Sequence, residues 1–159
     1  MRARSITSTT ALACLLASCW SSPAPRPPPP QNVVPPDAVA APPPLPARTI
    51  WTGRYECGQG VTAVHLTLDV EPSGRARAIF DFGPLADNPT VPNGSFRLIG
   101  KATPADDAID VWLRPEEWID RPPGYEMVGI HVGIDARRRS LRGKMLNDSC
   151  DWLDAKRVD

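Results

Sequence analysis

Apolar and polar positions alternate along most of residues 48–159. In VTAVHLTLDV (61–70), Val64, Leu66, Leu68 and Val70 share one face, and His65, Thr67 and Asp69 take the other. RARAIFDF (75–82) sets Ala76, Ala78, Phe80 and Phe82 against Arg75, Arg77 and Asp81, and EMVGIHVGID (126–135) aligns Val128, Ile130, Val132 and Ile134. A period of two marks a half-buried strand. The same reading places further strands near 50–57, 95–102, 108–114, 139–146 and 151–157. Pro72-Ser73-Gly74 and Pro92-Asn93-Gly94 punctuate them, and Asn-Gly is a strong hairpin signal. No stretch offers a helix of three turns. Eight short half-apolar strands predict an all-β domain over 48–159, a single antiparallel β-sandwich or small barrel.

One stretch departs from the alternation. WLRPEEWIDRPPGYEM (112–127) concentrates Trp112, Trp118 and Tyr125 with Glu116, Glu117 and Asp120. Pro115, Pro122 and Pro123 argue against a ladder there, so the stretch reads as a long connection before the strand at 126. Adjacent Glu116 and Glu117 would point to opposite sides of a strand, which is not a ready-made acid–base pair. Trp118 and Tyr125 can plug one end of a sandwich or barrel. The alternative is a binding surface made of Trp112, Glu116, Glu117, Trp118, Asp120 and Tyr125, because aromatics flanked by carboxylates on a rigid loop suit sugars or a partner protein. The parity that buries Ile109, Val111 and Leu113 turns Trp112, Ile79 and Ile99 outward, and alternation does not say whether those three meet.

Residues 1–47 carry a different pattern. Arg2 and Arg4 precede a short apolar run, densest from Ala11 to Ala17, which is too short to span a bilayer as a permanent helix. Leu16-Ala17-Ser18-Cys19 resembles the lipobox of bacterial lipoproteins. The resemblance implies a signal peptide over 1–18, lipidation of Cys19 and anchoring to a membrane through acyl chains. Cleavage after Ser18 as an ordinary signal peptide, leaving a soluble protein, is the alternative. Trp20 stands where lipoproteins retained at an inner membrane commonly carry Asp, so the expected location is the cell envelope, at an outer rather than an inner membrane. Residues 19–47 follow as a tether. Twelve of the chain's 20 prolines lie between Pro23 and Pro46, and at roughly 3.1 Å per residue such a polyproline spacer reaches about 70 Å.

Charge and cysteine usage narrow the function classes. Of 18 Lys+Arg and 18 Asp+Glu, only Arg2, Arg4, Arg26 and Asp37 precede Arg48, leaving 15 cations against 17 acids in the folded part. That balance excludes a nucleic-acid partner and does not favour an anionic polymer. With Cys14 in the leader and Cys19 lipidated, Cys57 and Cys150 remain, and in an oxidising compartment such a pair is expected as a disulfide. No cofactor or metal is expected, since neither Cys-x-x-Cys nor a Cys/His cluster occurs. His65 and His131 fall on polar strand faces. His131 with Asp135 and a serine would make a small hydrolase, but no Gly-x-Ser-x-Gly is present. Asp81-Phe82-Gly83 and Gly58-Gln59-Gly60 match kinase and phosphate-loop motifs by letter only. Asn93-Gly94-Ser95 and Asn147-Asp148-Ser149 read as turns, and Arg137-Arg138-Arg139 with Arg142 and Lys144 as a solvated positive hairpin end.

Trp51-x-Gly53-x-Tyr55-x-Cys57-x-Gln59-Gly60, Asn93-Gly94-Ser95-Phe96, Leu113-x-Pro115-x-x-Trp118, Pro123-Gly124-Tyr125 and a late Cys150 together resemble a bacterial extracytoplasmic β-domain of unassigned activity. The resemblance covers nearly all of 48–159. It implies one β domain and a Cys57–Cys150 bridge, and it carries over no functional residue. The expected function is a non-enzymatic binding module at the cell envelope, with peptidoglycan or an envelope protein as partner. An inhibitor of an envelope-acting hydrolase such as lysozyme, leading with Glu116, Glu117 or Asp120, is the second reading, and the His131 hydrolase the third.

Overall fold

A computed structural model describes residues 47–159; the leader, Cys19 and the proline-rich segment up to Pro46 lie outside the described residues. Eight strands follow in order: β1 (Arg48–Cys57), β2 (Gly60–Val70), β3 (Arg75–Gly83), β4 (Gly94–Ala105), β5 (Ala108–Asp120), β6 (Gly129–Ile134), β7 (Ser140–Leu146) and β8 (Cys150–Arg157). Each pairs antiparallel with the next, and β8 returns to β1, so the sheet closes into an up-and-down barrel. The sandwich alternative is therefore excluded. Closure leaves no free sheet edge along the seam.

The alternation in the sequence is the barrel's inside and outside. Trp51, Tyr55, Leu66, Phe80, Leu98, Val111, Ile130, Leu141 and Leu153 all point inward and are buried. An eight-stranded barrel is just wide enough to be filled by such side chains. On β1 the spacing Trp51, Gly53, Tyr55, Cys57 is that inward row, so the motif records packing. A Cβ at Gly53 would overlap the backbone of Asp154 and Ala155 across the β1–β8 seam. Gly53→Ala is expected to cost more than about 2 kcal/mol, towards the upper part of the overpacking range, read as a lowered thermal midpoint. An unchanged midpoint would mean the seam widens freely.

The seam is also covalent. Cys57 and Cys150 face each other across β1 and β8 and form a disulfide spanning 93 residues of sequence. The register slips between Tyr55 and Cys57, which lets Cys150 reach its partner past an extra β8 residue. Among the described residues, every buried side-chain nitrogen and oxygen has a hydrogen-bond partner.

The stretch 112–127 corrects the sequence reading. It is not a loop from Pro115 onward: β5 continues to Asp120, paired with β4 as far as Ser95. β6 pairs with β5 only up to Leu113, so from Arg114 onward β5 is an edge, where proline is tolerated. Two register shifts then rephase the strand. Leu98 opposes Pro115 but Arg97 opposes Glu117, so Glu116 is a bulge residue, and Ile119 is the extra residue between Trp118 and Asp120. Without the first bulge Glu117 would point inward; with it, Trp118 does, opposite Phe96. Glu116 and Glu117 are consequently both exposed rather than on opposite faces. The strand expected from 126 begins instead at Gly129.

The turns are local chemistry. Gly74 (φ 81°) closes the β2–β3 hairpin, as expected. Asn93-Gly94 is not a hairpin turn: Gly94 opens β4, and a Cβ there would run into the Phe82 ring. Gly58 and Gln59 form the two-residue β1–β2 hairpin. Asn147 accepts hydrogen bonds from the Ser149 amide and hydroxyl in the β7–β8 hairpin. In the β6–β7 turn, Asp135 accepts from the Arg139 amide (2.8 Å) and the Ser140 hydroxyl (2.8 Å). Burial alone would raise the Asp135 pKa, but these bonds more than offset it and hold the carboxyl below its usual range.

Candidate functional site at the barrel mouth

β1 runs from Arg48 at one end of the barrel to Cys57 at the other. At the Cys57 end, the β1–β2 and β7–β8 hairpins and the connection 121–128 surround an opening of about 430 Å3. The connection turns back at Pro122–Tyr125, with the Tyr125 amide donating to the Pro122 carbonyl (3.4 Å) and Gly124 at φ 80°. It sits beside the part of β5 that β6 leaves uncovered, and its Tyr125, Met127 and Val128 pack against the core.

Aromatic rings make the floor. Phe80 stacks on Phe96 at 5.0 Å between centroids, and Tyr55 meets Phe80 edge-on at 5.3 Å. Tyr125 stacks on Phe82 at 5.5 Å, and Trp118 meets Phe96 edge-on at 5.3 Å. Such pairs add roughly 0.5–1.5 kcal/mol each beyond their area burial. Arg121 lies 5.9 Å from the Trp118 ring centre, a cation–π distance. Trp118 and Tyr125 therefore both pack against the core at this end, although Trp118 stands on β5 and not in a connection, and an opening remains beside Tyr125.

The rim is polar. Gln59, Glu126, Asn147 and Ser149 line the opening above Tyr55 and the disulfide. The Gln59 side chain donates to the Tyr55 hydroxyl (3.2 Å) and contacts the Thr62 hydroxyl (3.4 Å). Burial pushes the Tyr55 pKa up, with hydrogen bonds to Thr62 and Gln59 only partly opposing it, so the phenol stays neutral. Asn88 holds the hairpin in place by donating to the carbonyls of Gln59 (2.9 Å) and Val61 (3.0 Å). The opening thus has a rigid apolar floor and a few fixed polar groups, the composition of a small ligand site.

The six candidate residues do not converge. Tyr125 lines the mouth, and Trp118 packs behind it against Phe82 and Phe96. Trp112 is 52% exposed on the outer wall, opposite Lys101 and His131. Glu117 is ion-paired with Arg97, Glu116 is the exposed bulge residue, and Asp120 ends β5 opposite Ser95. These carboxylates lie along a strand and form no protruding acidic loop. Ile79, Ile99 and Trp112 follow one diagonal across β3, β4 and β5, each set among cations. Alternation marks Tyr55 and Phe82 as inward residues, but only closure brings them to the same end as Tyr125.

The histidines are on the outer wall. His131 Nε2 lies 2.7 Å from Asp110 Oδ1, whereas Asp135 is bonded to Ser140 in the turn. The imagined His131–Asp135–serine arrangement does not form. His65 Nδ1 is 3.3 Å from the Thr52 hydroxyl and stands opposite Asp81, whose pKa is raised by burial and only partly lowered by His65. Among the described residues, no group of three or more His, Cys, Asp or Glu is placed to hold a metal ion. No protein-family model matches this chain, and no curated protein matches its sequence.

Proposed function

We propose that this chain is a lipid-anchored, non-catalytic binding module of the bacterial cell envelope, with the barrel mouth as its working surface. The observation that carries the reading is the mouth itself, where an aromatic floor, a polar rim and a disulfide-locked seam meet. Barrel mouths are preferred ligand sites because rigid walls lose little entropy on binding. The N-terminal sequence adds the anchor: the Leu16–Cys19 lipobox would place lipid on Cys19, and Trp20 favours an outer membrane. Ala47, where the described chain begins, sits beside Val70 at the barrel end opposite the mouth.

A glycan such as peptidoglycan fits a partly buried tyrosine ring with amide, hydroxyl and carboxylate groups around it; an envelope protein is the other partner class. The barrel is complete within residues 47–159, since every strand pair, the disulfide and the buried core fall inside them. Oxidised 47–159 is expected to co-sediment with purified peptidoglycan sacculi. Tyr125→Ala loses the stack on Phe82 and should lower the thermal midpoint, so the variant is assayed well below it. There it should lose at least about tenfold in affinity, the loss of one well-placed aromatic contact. Trp112→Ala should bind normally. Equal loss in both variants would move the working surface to the outer wall, and absence of sedimentation would remove the glycan reading.

A further inference from the structure

At the barrel end where the chain enters, the β2–β3 turn and the last residues of β4 enclose a groove of about 680 Å3. Its floor and walls are largely apolar, with Pro72, Ile99 and Pro104 among them, and its charged lining is Arg75, Arg77 and Lys101, with no acid. Arg114 stands opposite Ile99 on the next strand and extends the basic surface. The surrounding carboxylates are mostly engaged elsewhere: Asp69 with Arg48 at 2.8 Å and Glu117 with Arg97. Glu71 reaches only the edge of Arg75, at 3.9 Å. Arg77, Lys101 and Arg114 make no ion pair among the described residues. Asp106 and Asp107 stand at the β4–β5 hairpin tip and do not line the groove.

We infer that this groove and its basic surround dock the barrel on an anionic phospholipid surface, with a headgroup phosphate held among Arg75, Arg77 and Lys101. Three observations support that occupant. Arg77 and Lys101 have no ion pair among the described residues and Arg75 only a long one to Glu71, and a phosphate supplies the counter-charge through charge-assisted hydrogen bonds. The apolar walls match the boundary region beneath a headgroup, where long cationic side chains extend their charges towards phosphate. The chain enters the barrel beside the groove, because the Val70 amide donates to the Ala47 carbonyl (3.0 Å) one residue before the turn that borders it. The mouth, at the opposite end, remains open when the groove is occupied.

The test uses oxidised 47–159, which carries no lipid of its own, and vesicles of phosphatidylcholine with or without phosphatidylglycerol. Sedimentation is expected only with the anionic vesicles, and it should weaken as salt rises, because exposed charges are screened. Arg77→Glu and Lys101→Glu should each lower apparent affinity by about tenfold or more, as each reverses a charge near the surface. Lys144→Glu makes the same charge change on the outer wall of β7, away from the groove, and should stay within about twofold. Equal binding to both vesicle types would overturn the inference. So would an equal loss from Lys144→Glu and Lys101→Glu, which would show attraction to overall charge alone. Binding to sacculi through Arg77 and Lys101, with none to vesicles, would also overturn it and make the groove a wall-polymer site.

Discussion

Replacing both Cys57 and Cys150 with serine should lower the unfolding free energy by about 4–5 kcal/mol, the chain-entropy value for a loop of this length. The bridge spans 93 residues, almost the whole barrel, so the reduced unfolded chain regains nearly all its freedom when it is removed. It also joins the first strand to the last, where closure depends on the pairing from Trp51↔Arg157 to Cys57↔Cys150. Domains of this size hold roughly 5–15 kcal/mol in total, so the loss removes a large share. Denaturant unfolding of wild type and double variant, each with and without reductant, measures it. The midpoint should fall in the variant, and reductant should bring the wild type down to it. A change below about 1 kcal/mol would mean that strand pairing alone closes the barrel and that the entropic account fails here.

Trp51→Ala carries the second large effect, about 3–5 kcal/mol. The Trp51 ring is fully buried on the inner face of β1. Its indole nitrogen donates to the Thr49 hydroxyl (2.9 Å), which in turn reaches the Leu68 carbonyl (3.3 Å). Alanine removes the largest of the fully buried side chains and leaves Thr49 without its donor. Trp51→Phe keeps much of the volume and loses the hydrogen bond, so it should cost less, about 1–2 kcal/mol. Both should shift the urea midpoint without changing its slope, because the surface exposed on unfolding hardly changes. Equal losses from the two substitutions would assign the effect to the hydrogen bond instead of the packing.

Particular residues show how far the chain could be read. The strand containing Val64, Leu66 and Leu68 is visible because each side chain has only two directions, and burial of one face selects apolar residues at every second position. The same rule misplaced the second half of β5. Pro115 looks incompatible with a ladder unless the strand is known to be an edge there, and that depends on where β6 stops. The bulges at Glu116 and Ile119 suspend the period of two, so Trp118 could be marked as a plug but not assigned to a strand. At the mouth, Tyr125 is a conspicuous aromatic in the sequence. Gln59, Phe82 and Glu126 are not marked there as site residues, because nothing local distinguishes them from hairpin, core and connection residues.

By itself the sequence determined the all-β class, the eight strands and their inward faces, because each rests on local periodicity or on residue chemistry. Only the tertiary structure decided that the sheet closes, that the aromatics meet at one end and that Arg75, Arg77, Lys101 and Arg114 gather with little counter-charge on a domain of balanced charge. Closure depends on register summed around all eight strands, which no single segment encodes. Charge clustering depends on which strands become neighbours, and only the closed sheet sets those neighbours.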